Sequence, residues 1–135
     1  MKKVMFITGF APSLINFRGD LIKTLVSEGN EVITLASNFD IKTIEALRAS
    51  NASVIKIKSE NHKKNIFHDL NFFFNVFKAV SHHKPDFIIP YTAKSVIYGS
   101  LSARLLGINS YPLITGIGIL HNKHNFFLNK LLNFM

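Results

Sequence analysis

Four short stretches of this 135-residue chain hold residue types that chemistry can use. The first is Thr8-Gly9-Phe10-Ala11-Pro12-Ser13-Leu14-Ile15-Asn16-Phe17-Arg18-Gly19-Asp20. Gly9 admits close backbone approach to a ligand, and Arg18 is suited to pairing with phosphate. The same residues read equally well as a plain turn and a solvated helix position. The second stretch, Lys58 to Asn65, gathers Lys58, His62, Lys63 and Lys64. It suits a phosphate or an anionic lipid headgroup, and a solvated basic loop is the simpler reading. The third, Tyr91-Thr92-Ala93-Lys94, offers two hydroxyls and an ammonium, expected to face a cleft at a helix start. The fourth, Thr115-Gly116-Ile117-Gly118, is a glycine-rich turn that fits a sugar or phosphate and serves equally as a tight strand exit.

Other chemistries are missing. Gly9 and Gly19 do not make the G-x-G-x-x-G spacing of a dinucleotide site, and no Walker A run occurs. Cysteine is absent, which removes disulfides, thiol nucleophiles and Cys-ligated metals. His121 and His124 lack a neighbouring carboxylate, and His82-His83 precede a strand, so neither pair reads as a metal site. No Ser/His/Asp order or paired carboxylates stand out. Neither metal nor cofactor is expected.

The elements that must position these stretches alternate short apolar runs with longer amphipathic ones. Strands are predicted at Lys3 to Ile7, Glu31 to Ala36, Ser53 to Ile57, Phe87 to Ile89 and Ser110 to Ile114. Helices are predicted at Ser13 to Glu28, Ile41 to Ala49, Ile66 to Ser81, Lys94 to Leu106 and Asn125 to Met135. The Ile66 helix is expected to turn Ile66, Leu70, Phe73, Phe74 and Phe77 inward. Phe72 and Val76 fall off that stripe, free to cover a neighbour or touch a bilayer. Alternation of this kind implies right-handed crossovers and a parallel sheet of about five strands, covered on both faces. The fold class is therefore α/β, a Rossmann-like three-layer domain. Its ligand edge lies at the carboxyl ends of the strands, where all four stretches converge.

Apolar residues make up 47% of the chain and charged residues 18%, which argues for a folded core and against disorder. No apolar run reaches the roughly 18 residues of a membrane span, and Val4 to Phe10 is too short for a signal peptide. A cytoplasmic protein is expected. The net charge of +8 suits nucleic acid, anionic membrane or phosphorylated small molecules. The basic residues are scattered and no nucleic-acid-binding signature occurs, so nucleic acid is not an expected partner.

Three stretches, in order, resemble bacterial family 4 glycosyltransferases. Asn16 to Val32, reading NFRGDLIKTLVSEGNEV, is similar to their "NFRG-x-LI-x-x-L-x-x-x-GHEV" opening. Tyr91 to Arg104, reading YTAKSVIYGSLSAR, is similar to "YT-x-KP-x-IYGS-x-AAR". Leu113 to Gly118, reading LITGIG, is similar to "ITGLG". Asn65 to Leu70 loosely matches "NPL-x-DL". Asn30 departs from the pattern where His is usual, Ser95 where Pro is common, and Ile119-Leu120 where an aromatic pair often follows.

The resemblance implies a GT-B architecture of two Rossmann-like domains, with residues 1–135 forming the N-terminal, acceptor-side domain, incomplete at its C-terminal end. It implies retaining transfer of a sugar from a nucleotide sugar to a polyprenyl-diphosphate-linked saccharide or polysaccharide precursor. The expected place is the inner face of the cell membrane, with peripheral attachment to an anionic surface. Gly9, Asn16, Arg18, Gly19, Tyr91, Thr92, Lys94, Thr115, Gly116 and Gly118 are the expected cleft-lining residues, and no catalytic role carries over to His121. The donor domain is expected on a continuation or a partner chain, and the chain alone is expected to be inactive. The alternative expectation is a non-catalytic binding or membrane-tethering subunit of a two-chain glycosyltransferase.

Overall fold

The structure, a computed structural model, describes residues 1–58 and 66–114. Within them lie five strands: β1 (Lys3–Thr8), β2 (Glu31–Ala36), β3 (Ser53–Lys56), β4 (Phe87–Pro90) and β5 (Asn109–Ser110). Five helices alternate with them: α1 (Ser13–Asn16), α2 (Gly19–Ser27), α3 (Ile41–Ala49), α4 (Ile66–His83) and α5 (Ala93–Leu106). The strands form one parallel sheet in the order β3-β2-β1-β4-β5. This is the Rossmann-like fold expected from the alternation.

The pleat divides the apolar residues between two cores. Val4, Phe6, Val32 and Ile89 face α1, α2 and α3, where they meet Leu14, Ile22 and Leu47. Met5, Ile7, Ile33, Leu35 and Ile88 face α4 and α5, where they meet Phe72, Val76, Val80 and Ala103. Central strands buried on both sides need uninterrupted apolar runs, and VMFI and FII supply them.

Several boundaries differ from expectation. The Ser13 to Glu28 helix is two helices. Phe17 (φ −120°, ψ −16°) and Arg18 (φ −128°, ψ 0°) leave helical dihedrals, so α1 ends on the Phe17 N–H to Ser13 carbonyl bond and α2 starts afresh. Periodicity counts apolar residues and does not see such a break; Leu21, one of the apolar residues at helical spacing in this stretch, is 41% exposed. The inward stripe of α4 is also corrected. Phe72, Val76 and Val80 are the buried residues, while Leu70 and Phe74 are 47% and 62% exposed. With aromatics in a run, two adjacent stripes satisfy helical spacing, and only the sheet beneath decides which is buried. Thus Phe72 and Val76 belong to the core. The helix runs on to His83, which carries the two histidines into its last turn. β3 ends at Lys56, with Ile57 buried just beyond it. β5 is two residues long, and Leu113 adds one isolated bridge to Tyr91.

Two glycines answer to geometry. Gly107 takes φ +68° at the end of α5, the left-handed stop that closes many helices. Gly99 lets α5 lie on β4, since a Cβ there would come within 3.0 Å of the Pro90 Cβ.

Candidate functional site

β1 and β4 are neighbours, yet the chain leaves them in opposite directions. From β1 it enters α1 and α2 on one face; from β4 it enters α5 on the other. A doubly wound sheet opens a crevice at such a switch point, outside the carboxyl ends of the two strands. The Gly9–Gly19 and Tyr91–Lys94 segments border it.

The two borders are joined by neutral hydrogen bonds. The Gly9 N–H donates to Thr92 Oγ1 at 3.0 Å, and Thr92 Oγ1 donates to Ser95 Oγ at 3.2 Å. A Cβ on Gly9 would sit 3.4 Å from Thr92 Oγ1, an ordinary van der Waals contact, so it is the Gly9 N–H rather than a missing side chain that makes the junction. Thr92 itself adopts φ 75°, ψ 143°, a conformation that costs a non-glycine residue about 1–3 kcal/mol and persists only where its surroundings impose it. Its hydroxyl is spent on Gly9 and Ser95 rather than on capping α5. Beside it, Tyr91 is buried, its hydroxyl 3.1 Å from Ser13 Oγ. Ser13 Oγ also reaches the Phe10 carbonyl and Thr8 Oγ1. Burial pushes the Tyr91 hydroxyl above its ordinary range, against the opposing pull of these hydrogen bonds.

Arg18 lies over the Tyr91 ring, its guanidinium carbon 5.3 Å from the centroid, a cation–π geometry. One terminal nitrogen, Nη1, donates to the Phe17 carbonyl at 2.9 Å. Among the described residues, Arg18 Nε is buried without a hydrogen-bond partner. Lys94, in the first turn of α5, donates to Asp69 Oδ1 of α4 at 2.6 Å. One turn further, Tyr98 is held above its ordinary hydroxyl range by burial and then by the Asp69 charge.

The structure therefore brings together Gly9, Arg18, Tyr91 and Thr92, with Gly19 buried at the start of α2. Asn16 is exposed at the end of α1. Lys94 is turned to α4, and the Tyr91 and Thr92 hydroxyls are taken up inside the protein rather than presented to a cleft. Thr115, Gly116 and Gly118 lie outside the described residues, as do His62, Lys63, Lys64, His121, His124 and the Asn125 to Met135 helix. Sequence reading missed Ser13, Ser95 and Asp69. Ser95 stands three residues after Thr92, a spacing that lets short hydroxyl side chains meet across a helix start, and Asp69 is the acidic residue of the loosely matched NPL-x-DL segment. A groove of about 330 Å³ between α2 and α3, lined by Ile15, Gly19, Asp20, Lys23 and Ala46 among others, contains none of the β4 residues and is not this site.

Among the described residues no group of His, Asp and Glu could hold a metal ion, and no helix is long and apolar enough to cross a membrane.

This fold occurs in several solved structures. The chain is similar to MurG of Acinetobacter baumannii, with a TM-score of 0.63 and 22% identity over 84% of this chain and 34% of that one. It is similar to the UDP-GlcNAc 2-epimerase of Neisseria meningitidis, solved bound to UDP-GlcNAc, with a TM-score of 0.65 and 13% identity over 96% of this chain and 37% of that one. It is also similar to a glycosyltransferase from Rickettsia africae, with a TM-score of 0.63 and 14% identity over 91% of this chain and 34% of that one. The chain thus has the fold of one Rossmann-like domain of GT-B proteins, and it spans about a third of the length of these structures. No protein-family model and no curated protein sequence matches it.

Proposed function

We propose that the chain is the acceptor-side domain of a retaining GT-B glycosyltransferase of family 4. In this reading it serves transfer from a nucleotide sugar to a polyprenyl-diphosphate-linked saccharide or polysaccharide precursor. Gly9, Asn16, Arg18, Gly19, Tyr91, Thr92 and Lys94 border the acceptor crevice in this reading, and the resemblance assigns Thr115, Gly116 and Gly118, outside the described residues, to the same acceptor. The observation that carries the reading is the meeting of the two family-like motifs at the switch point. Arg18 of NFRG sits on the ring of Tyr91 of YTAK, and Gly9 bonds to Thr92. Sequence stretches some 70 residues apart that resemble one family thus converge where this fold binds ligands.

The division of labour follows from charge. Arg18 and Lys94 supply fixed positive charge for a diphosphate, and the Gly9 backbone gives it room. The donor's nucleotide and its sugar would be held by a second Rossmann-like domain, on a continuation of the chain or on a partner chain. Because the transition state needs both walls of the cleft, this chain transfers nothing alone. The test is transfer by an enzyme reconstituted with a donor-binding domain: Arg18→Ala and Lys94→Ala each reduce it by about tenfold or more. Wild-type rates in both variants overturn the assignment.

A second reading has its own observation. Phe67, Leu70 and Phe74 of α4 are 73%, 47% and 62% exposed, an apolar stripe on a strongly basic chain. It favours a non-catalytic subunit that tethers a partner chain to an anionic membrane at the cytoplasmic face. Sedimentation with anionic vesicles at low salt tests this, and the absence of co-sedimentation removes it.

A further inference from the structure

The Asp69–Lys94 ion pair is surplus to the packing of the helices it joins. α4 and α5 are already seated on each other and on the sheet. Phe72 and Phe73 meet Tyr98 at centroid distances of 6.0 and 6.2 Å, and Val76, Val80 and Ala103 are fully buried. The pair lies in the first turns of the two helices, its side chains 58% exposed for Lys94 and 34% for Asp69. Exposed pairs of this kind add about 0–1 kcal/mol. What the contact does achieve, at 2.6 Å, is to neutralise the ammonium two residues beyond Thr92, at the edge of the crevice.

We propose that Asp69 is a built-in competitor for the anion that Lys94 binds. In the unliganded chain the carboxylate holds the ammonium; an arriving diphosphate displaces it and takes the ammonium over. This rests on the reading above, in which Lys94 faces an anionic ligand. The exchange is inexpensive on both sides. The pair is weak because it is wet, and the released carboxylate, already a third exposed, returns to water instead of being stranded as a buried charge. The consequence is a threshold in ligand charge. A monoanion offers Lys94 no more than Asp69 does, whereas a diphosphate carries enough charge to win the ammonium.

The full chain is titrated with inorganic pyrophosphate, following the backbone amide resonances of Asp69 and Lys94. Asp69→Asn, which keeps the side-chain shape and removes the competitor, tightens binding by about two- to fivefold. Lys94→Ala weakens binding, and Lys94→Arg restores it. Glu45→Gln, an equal charge change at an exposed position on α3, leaves the affinity at the wild-type value. Affinity in Asp69→Asn that equals or falls below wild type overturns the proposal. So does equal tightening by Glu45→Gln, which would report net charge alone, and so does the absence of millimolar binding in both wild type and Asp69→Asn. The two layers separate cleanly. If Asp69→Asn fails to tighten binding while Lys94→Ala still lowers glycosyl transfer, the competitor falls and the transferase reading stands. If Asp69→Asn tightens binding while Arg18→Ala and Lys94→Ala transfer at wild-type rates, the reverse holds.

Discussion

At the amino ends of β1, β2 and β4 the chain is fastened by exposed charges; at the carboxyl ends of β1 and β4 it is fastened by sheltered hydroxyls. The amino end joins Lys3 N–H to Asp86 Oδ2 (2.6 Å), Lys3 Nζ to Glu31 (3.4 Å) and to the His83 carbonyl (3.3 Å), and Lys2 to Asp86 (3.7 Å). The carboxyl end joins Gly9, Thr92 and Ser95, and separately Ser13 and Tyr91. Charged contacts tolerate sliding and are screened by salt, so the amino end needs only to close the sheet. Hydroxyl bonds are directional and short in reach. They hold two loops in one relation, with a strained Thr92 backbone between them, which is the demand of a site rather than of a seam.

The largest effect expected from this contrast is at Tyr91. Tyr91→Ala removes a buried ring that supports Arg18 and lowers unfolding stability by about 3–5 kcal/mol in urea titrations. A loss no greater than that of an amino-end substitution would erase the distinction between the two ends. Next comes Thr92→Val, which keeps the branched shape but leaves the Gly9 N–H unpaired, at about 1–3 kcal/mol. Thr92→Gly loses the same bond yet relaxes φ +75°, so its loss is the smaller of the two. Thermal unfolding of both variants sharpens how much of the site is geometry and how much is bonding.

Acid separates the ends further. Asp86 is held below its ordinary value of 3.8 chiefly by the Lys3 N–H it accepts. A depressed carboxyl stabilises the fold above its unfolded value and loses that contribution as pH falls through its folded value. Asp86→Asn therefore flattens stability against pH below about 4–5, while Thr92→Val leaves that slope unchanged. His83, held below 6.5 mainly by burial, acts in the same direction at higher pH. The unfolded chain takes up its proton first, so stability declines as pH drops below about 6.5. The smallest effect is at Lys3. Lys3→Ala lowers stability by about 0.5 kcal/mol or less at low ionic strength, and the difference vanishes near 1 M salt in parallel denaturation curves.

The fold was legible because it rests on runs. VMFI, EVITLA and FII have to be strands buried on both faces, and the helices between them dictate the parallel order. The α1–α2 break and the buried stripe of α4 were not legible. Both depend on what lies beneath the helix, the Tyr91 ring under Arg18 and the sheet under Phe72, and neither leaves a mark in spacing. The site was legible as motifs but not as contacts. Gly9, Arg18, Tyr91 and Thr92 could be singled out by type and resemblance. Ser13, Ser95 and Asp69, the partners of Tyr91, Thr92 and Lys94, are ordinary surface residues by type, and only the packing of the folded chain brings these pairs together.

The strand order has a consequence in time. β2 reaches β1 through a short connection, and the contacts that flank it, such as Lys2 to Asn30, span 28 residues. β4 reaches the other side of β1 only after α3, β3 and α4, and the Gly9–Thr92 bond spans 83 residues. Closing the longer stretch costs about 1 kcal/mol more in chain entropy, paid before any contact returns it. On the ribosome, the first half-sheet can form while β4 is still unmade. The crevice is then assembled only after that half-sheet, and substitutions along its border should speed unfolding far more than they slow folding.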